Sequence, residues 1–320
     1  MSDIRPLLIG MYALIATGAA IAQNDANYPS KPVSVVIPLS AGGVVDIEAR
    51  LLTNKLQASL GQPFVFDFRP GAGQTIGISH TLKSPPDGYT IMMTTSGITI
   101  IPNFYPNLPA QTVSQLIPVS ELTNSFNGLI ISTIALPNVR SLKDLAAYGK
   151  ANPDKLSCGT TGGGTQPHMV CEATANVLGI SSTSVHYKAS AGIMTDLRAG
   201  RISMFSGGLN RLSDNLRMIA ILGQKRATTM PDLPTSFEQG YEIDSPNWLG
   251  AFAPPKTPPA IVNKLNAELV KAVKAPDVVA ALEKIEFVSV GSTVEEFRKK
   301  VGSEMVRWEK VVRENKITLE

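Results

Sequence analysis

The chain has 320 residues, 43% hydrophobic and 17% charged, a globular composition long enough for two domains. A mean hydropathy of +0.08 does not describe a membrane protein. The net charge of +3 comes from scattered lysines and arginines, and aromatic content is 6%, which argues against a nucleic-acid partner and suits a small anionic ligand only as background.

The N-terminus carries Arg5, an apolar run from Leu7 to Ala20, and Ala20-Ile21-Ala22 before Gln23. These are the three parts of a signal peptide over residues 1–22, so the expectation is an exported, periplasmic protein beginning near Gln23. An N-terminal anchor helix is the competing reading, but the run is short for a membrane span. A lipid anchor would need a cysteine here, and there is none.

Val33, Val35, Val36 and Ile37 predict a buried strand, and from Val45 the apolar positions Ala49, Leu52 and Leu56 follow a helical period. Between them, Ser40-Ala41-Gly42-Gly43 is a turn whose adjacent glycines let the backbone aim free N–H groups outward. The first N–H groups of a helix lack internal partners and carry the positive end of its dipole, so this turn is a candidate anion cradle. Two readings stand for Asp46 beside it: it complements the helix start, or it orients a water that donates to a ligand.

A second strand, Phe64 to Phe68, leads through Arg69-Pro70-Gly71-Ala72-Gly73 into a helix ending near Lys83. After the turn Pro85-Pro86-Asp87-Gly88, the strand Tyr89 to Thr94 ends in the polar Thr95, Ser96 and Gly97. Strands alternating with helices predict a parallel sheet covered on both faces. The run Gly71 to Gly77 is similar to a dinucleotide fingerprint with one spacing altered, which makes a nicotinamide-dependent oxidoreductase the rival function. Against it, Pro70 is an unusual lead-in, and Asp87 lies in a turn where a ribose partner should end a strand.

Leu129 to Ile134 reads as a strand opening a new region. Ser141 caps a helix to about Asn152, Lys155 to Cys158 is a strand, and Gly159 to Thr165 forms a glycine turn before a helix carrying His168. This echo of the first unit places a second helix start, with Thr161, Gly162, Gly163 and Thr165, opposite the first. Short strands follow at Val185 to Tyr187, Ile202 to Phe205 and Met218 to Leu222. Trp248 to Ala253 crosses back, a helix from Pro259 carries Ile261, Leu265, Leu269 and Val273, and a last helix from Val294 to Arg313 buries Phe297, Val301, Met305 and Trp308.

A cleft between two α/β lobes, with anion sites on both walls, fits ligand binding beyond the carboxyl ends of the strands. His168 is either structural or a ligand donor, and a metal site lacks further ligands at fitting spacing. Arg69, Lys188 and Arg201 are candidate counter-charges. Ser190 lacks the preceding glycine of a nucleophile elbow, so a hydrolase is not supported. Cys158 and Cys171 form either a disulfide or two buried thiols.

Tyr28-Pro29-Ser30-Lys31-Pro32, Ala41-Gly42-Gly43 with Asp46, Arg69-Pro70-Gly71-Ala72-Gly73, Pro85-Pro86-Asp87-Gly88-Tyr89, Gly164 with Pro167-His168, Val185-His186-Tyr187-Lys188 and Ala253-Pro254 with Thr257-Pro258-Pro259 together resemble the substrate-binding proteins of tripartite tricarboxylate transporters, the Bug family. The resemblance runs in order along the whole chain after the signal. It implies a type II periplasmic binding-protein fold: two Rossmann-like lobes, 27–126 plus 247–320 and 127–246, joined by crossover strands. It further implies no catalysis and a small carboxylate ligand, be it a di- or tricarboxylate, an acidic amino acid or an aromatic acid; membrane transporter subunits are the expected partners, no metal or cofactor is expected, and the expected state is a monomer. The first loop, Ser40 to Gly43 with Asp46, would hold a ligand carboxylate partly through water. Thr95, Ser96, the second glycine turn, His168, Ser206 and Gly207 complete the expected site. The chain departs from the family pattern at Ser40-Ala41, Ala189 and Ser206-Gly207-Gly208, and the segment Leu209 to Ile219 is short.

Overall fold

The computed structural model describes residues 27–105, 108, 110–187, 190–208, 212–227, 229–245, 247–314 and 317. The expected signal segment lies outside them, as do Lys188, Ala189 and Leu209.

Eleven strands among the described residues form two sheets. The first takes β1 (Val33–Ile37), β2 (Phe64–Phe68), β3 (Thr90–Thr95), β4 (Ile117–Ser125), β10 (Asn247–Ala253) and β11 (Phe287–Ser289), in the order β11-β4-β10-β3-β1-β2. The second takes β5 (Asn127–Ser132), β6 (Ser157–Thr160), β7 (Thr183–His186), β8 (Met204–Gly208) and β9 (Leu216–Ile221), in the order β7-β6-β8-β5-β9. Helices of nine residues or more are numbered α1 (Val44–Leu60), α2 (Thr75–Lys83), α3 (Leu142–Ala151), α4 (Gln166–Leu178), α5 (Ser190–Arg198), α6 (Pro259–Val273), α7 (Pro276–Lys284) and α8 (Val294–Glu314).

The expected parallel pairing holds within the βαβ units and not at the strands entered by crossing. β1 pairs parallel with β2 and β3, but β10 runs antiparallel to both β3 and β4, and β5 runs antiparallel to β8 and β9. The cause is the path of the chain. It leaves the first sheet at Ser125, enters the second at Asn127, and returns at Asn247, so the strand entered after each crossing, β5 in the second sheet and β10 in the first, runs against the strands of that sheet's βαβ unit. Asn247 stands opposite Ser125 in the β10–β4 register, which lays the two crossings side by side.

Alternation explains the packing of each lobe. Val33, Val35 and Ile37 face Leu52, Leu56 and Leu265, whereas Val36 joins Ile78, Trp248, Phe252 and Phe297 on the opposite face. In the second sheet Leu129 and Ile131 join the cluster of α3 and α4, and Ile130 joins Ile193 and Leu197 of α5. Helix α8 serves both lobes: Phe297 and Val301 belong to the first core, Trp308 to that of α3 and α4. Its end thus packs into the second sheet's core. Cys158 and Cys171, left open between two states, are a disulfide tying β6 to α4.

Candidate functional site

A cavity of about 460 Å³ lies between the two sheets at the crossing strands. Val44, Val45, Glu48 and Thr95 line it from the first lobe; Thr161, Gln166, Pro167, Ser190 and Phe205 to Gly208 line it from the second. Ser125, Phe126, Asn127 and Asn247 to Leu249 form the crossing wall, and Lys284 to Phe287 supply the remainder.

Three helices begin at this cavity: α1 at Val44, α4 at Gln166 and α5 at Ser190. The N-caps of the first two are Gly43 and Thr165, both in extended backbone, and neither offers a side-chain acceptor to its helix. Thr165 instead donates its hydroxyl to Gly162 O at 2.7 Å. The leading N–H groups, Pro167 having none to offer, therefore lack intrahelical partners, and three positive dipole ends converge on one space. An anion is the complement of that arrangement.

The expected site residues divide. Thr95, Thr161, Ser206 and Gly207 lie in the cavity wall. Ser40, Ala41, Gly42 and Gly43 are exposed and outside it, so the first glycine turn contributes through the helix start that follows it. Asp46 accepts a hydrogen bond from Gly42 N–H at 2.9 Å and pairs with Arg50 Nε at 2.7 Å, which ties the loop to its own helix. One N–H of the expected cradle is thus already occupied.

Ser96 is buried beneath Thr95, outside the cavity wall. Gly162, Gly163 and Thr165 form the turn behind Gln166, with Gly162 N–H donating to Thr160 Oγ1. His168, expected as structural or ligand donor, is buried: Nδ1 accepts from Gly164 N–H at 3.0 Å, and Nε2 lies 3.5 Å from Glu172. Both ring nitrogens face protein partners, so its place in the molecule is structural. That contact, with the Ser184 hydroxyl, holds the Glu172 carboxyl below its ordinary value. Arg69 pairs with Asp67, and Arg201 with Asp196. Among the described residues no cluster of three potential ligands fits a metal ion.

The glycines of the rival dinucleotide reading have a packing explanation. A Cβ on Gly77 would stand 2.6 Å from Pro38 Cβ and 3.0 Å from Pro38 Cα, so α2 sits directly on the end of β1. Gly77→Ala is expected to cost about 1–3 kcal/mol of stability, read from the urea midpoint, because the obstacle includes backbone. An unchanged midpoint would mean that α2 has slack there.

Glu48, Asn127, Gln166, Ser190 and Asn247 were not anticipated. Glu48 had a sequence signal: it lies four and eight residues before Leu52 and Leu56, in register with the buried stripe of α1. It is 1% exposed, receives the Thr123 hydroxyl proton on Oε1, and burial pushes its carboxyl up to about 7. Asn127 and Asn247 brace the crossings through Ser245 and Ser125, at 3.0 Å and 2.5 Å.

Two α/β lobes, two crossings and an anion-complementary cleft define a type II solute-binding receptor. A family model described as the tripartite tricarboxylate transporter family receptor, TctC, matches residues 48–317. BugT of Bordetella pertussis is 32% identical across 96% of this chain and 96% of its own length. Rpa4515 of R. palustris, solved with adipate, is 29% identical with a TM-score of 0.76, covering 92% of this chain and all of that one. MatC of Rhodopseudomonas palustris, solved with malate, is 27% identical with a TM-score of 0.73, covering 89% of this chain and all of that one. The chain belongs to the TctC family, whose members are solute-binding receptors and not enzymes.

Proposed function

We propose that the protein works in the periplasm as a monomer, captures a small carboxylate between its lobes, and presents the closed form to membrane subunits of a tripartite tricarboxylate-type transporter. The observation that carries this reading is the convergence of the α1, α4 and α5 starts on the inter-lobe cavity. Adipate and malate in two relatives support the ligand class. Closure would pivot where the chain crosses between the sheets, at Phe126 and Asn247, because a ligand touching both walls stabilises only the closed arrangement. The Cys158–Cys171 disulfide supports an oxidising compartment, in keeping with the signal segment.

A thermal-shift screen of mono-, di- and tricarboxylates tests the reading. A ligand at 100 times its dissociation constant adds about 2.7 kcal/mol, enough for a clear rise in Tm. Silence across the carboxylates with a response to NAD or NADP would replace it with the oxidoreductase reading. For compartment, recovery of the mature chain with Met1 intact from the cytoplasm is the opposing result.

A further inference from the structure

Glu48 is out of place in a cleft built for anions. Its side chain is almost wholly buried, it stands in the cavity wall, and Thr123 on β4 is its hydrogen-bond partner among the described residues. That bond occupies Oε1. Oε2 has no protein donor among those residues, yet it is not among the polar atoms sealed from solvent-filled space. Among the described residues no cation compensates the burial: only the Thr123 hydroxyl opposes the rise of its carboxyl pKa. Arg50, on the same helix, is engaged with Asp46. The other charged residues of the wall, Lys284 and Glu286, make no hydrogen bond to Glu48. A buried carboxyl is costly until it gains a donor or a counter-charge, and the ligand is what the cavity has to offer.

We infer that Glu48 selects a zwitterionic ligand, an amino acid whose carboxylate faces the helix starts and whose ammonium donates to Glu48 Oε2. The inference rests on the proposed carboxylate-binding function and narrows its ligand class. The opposed signs fit the walls: three helix starts favour the carboxylate, and one uncompensated acid favours the ammonium. A plain acid of the same length would leave Oε2 without a partner, which is the strong form of discrimination between analogues.

Titration calorimetry at pH 7.5 with matched pairs, succinate against aspartate and adipate against 2-aminoadipate, tests it on the unaltered mature protein. The amino acid of at least one pair is expected to bind about tenfold more tightly or better than its plain partner. Glu48→Gln should remove that preference by weakening the amino acid, with circular dichroism checking its fold. Plain acids binding as well as their amino partners, or a preference that survives Glu48→Gln, would overturn the inference and leave carboxylate capture standing. If no member of the pairs or of the wider carboxylate panel binds, both readings fall together.

Discussion

Stability is expected to fall as the pH rises from about 4.5 to about 7, by about 3 kcal/mol for each of two buried glutamates. Glu48 and Glu304 are both pushed from the ordinary 4.5 up to about 7, with burial as the main cause. Glu304 on α8 accepts from Trp248 Nε1 at 3.0 and 3.1 Å, and nearby Lys300 and Arg307 also favour its charge, but not enough to offset desolvation. Each carboxyl binds its proton more tightly in the folded chain than in the unfolded one. The resulting stabilisation is complete below 4.5 and lost by the time the pH has passed 7. Urea unfolding at pH 4 and pH 8 measures it. Glu304→Gln and Glu48→Gln should each flatten the difference between the two pH values by about 3 kcal/mol relative to the unaltered protein. If a glutamine variant keeps the same dependence, its glutamate does not titrate in that window.

The βαβ units were legible because their signals are local. Val33 to Ile37 and the stripe Ala49, Leu52, Leu56 gave β1 and α1, and Ser141 does cap α3, accepting from Asp144 N–H. Strand β4 was missed although it is buried and lies inside the sheet, between β11 and β10. Its sequence, IPVSELTNS, alternates no apolar face, since its polar residues meet partners far along the chain. Ser120 donates to Ser292 O at 2.8 Å, and Glu121 pairs with Lys300 at 2.5 Å. Sequence separations of 172 and 179 residues leave no trace in a local window. The antiparallel character of the first sheet comes from β10, which runs against both β3 and β4; its presence was legible, its direction was not, because that depends on where the chain returns from the second sheet.

At the site, helix starts were legible and individual donors were not. A glycine turn announces free N–H groups, but which residue of the turn meets the cavity depends on the angle at which the helix leaves the strand. Here the exposed Ser40 to Gly43 stand back and Val44 and Val45 come forward. His168 stood open between a structural role and a ligand donor because of its place beside a glycine turn, and that same turn consumes its Nδ1 through Gly164. Ser190 was weighed only as a nucleophile; its place in the wall follows from where α5 begins.

Replacing both cysteines, Cys158→Ala with Cys171→Ala, is expected to cost about 3 kcal/mol and to lower the urea midpoint accordingly. The bond joins residues 13 apart and encloses the whole second glycine turn together with the start of α4. Both cysteines are essentially fully buried, so the replaced side chains also lose packing against Met169 and Met204 in the second core. The main cost, however, lies in the unfolded chain, which gains the freedom that the closed loop denied it. In the folded chain the turn keeps its own fastenings, Thr165 to Gly162 and Gly164 to His168. Gln166 and Pro167 should therefore hold their places in the cavity wall at temperatures well below the midpoint, and ligand affinity should change little there. An unchanged midpoint in the double variant would show that the bond is absent in solution. A lowered midpoint with weakened binding would give the bond a second task, holding the α4 start against the ligand.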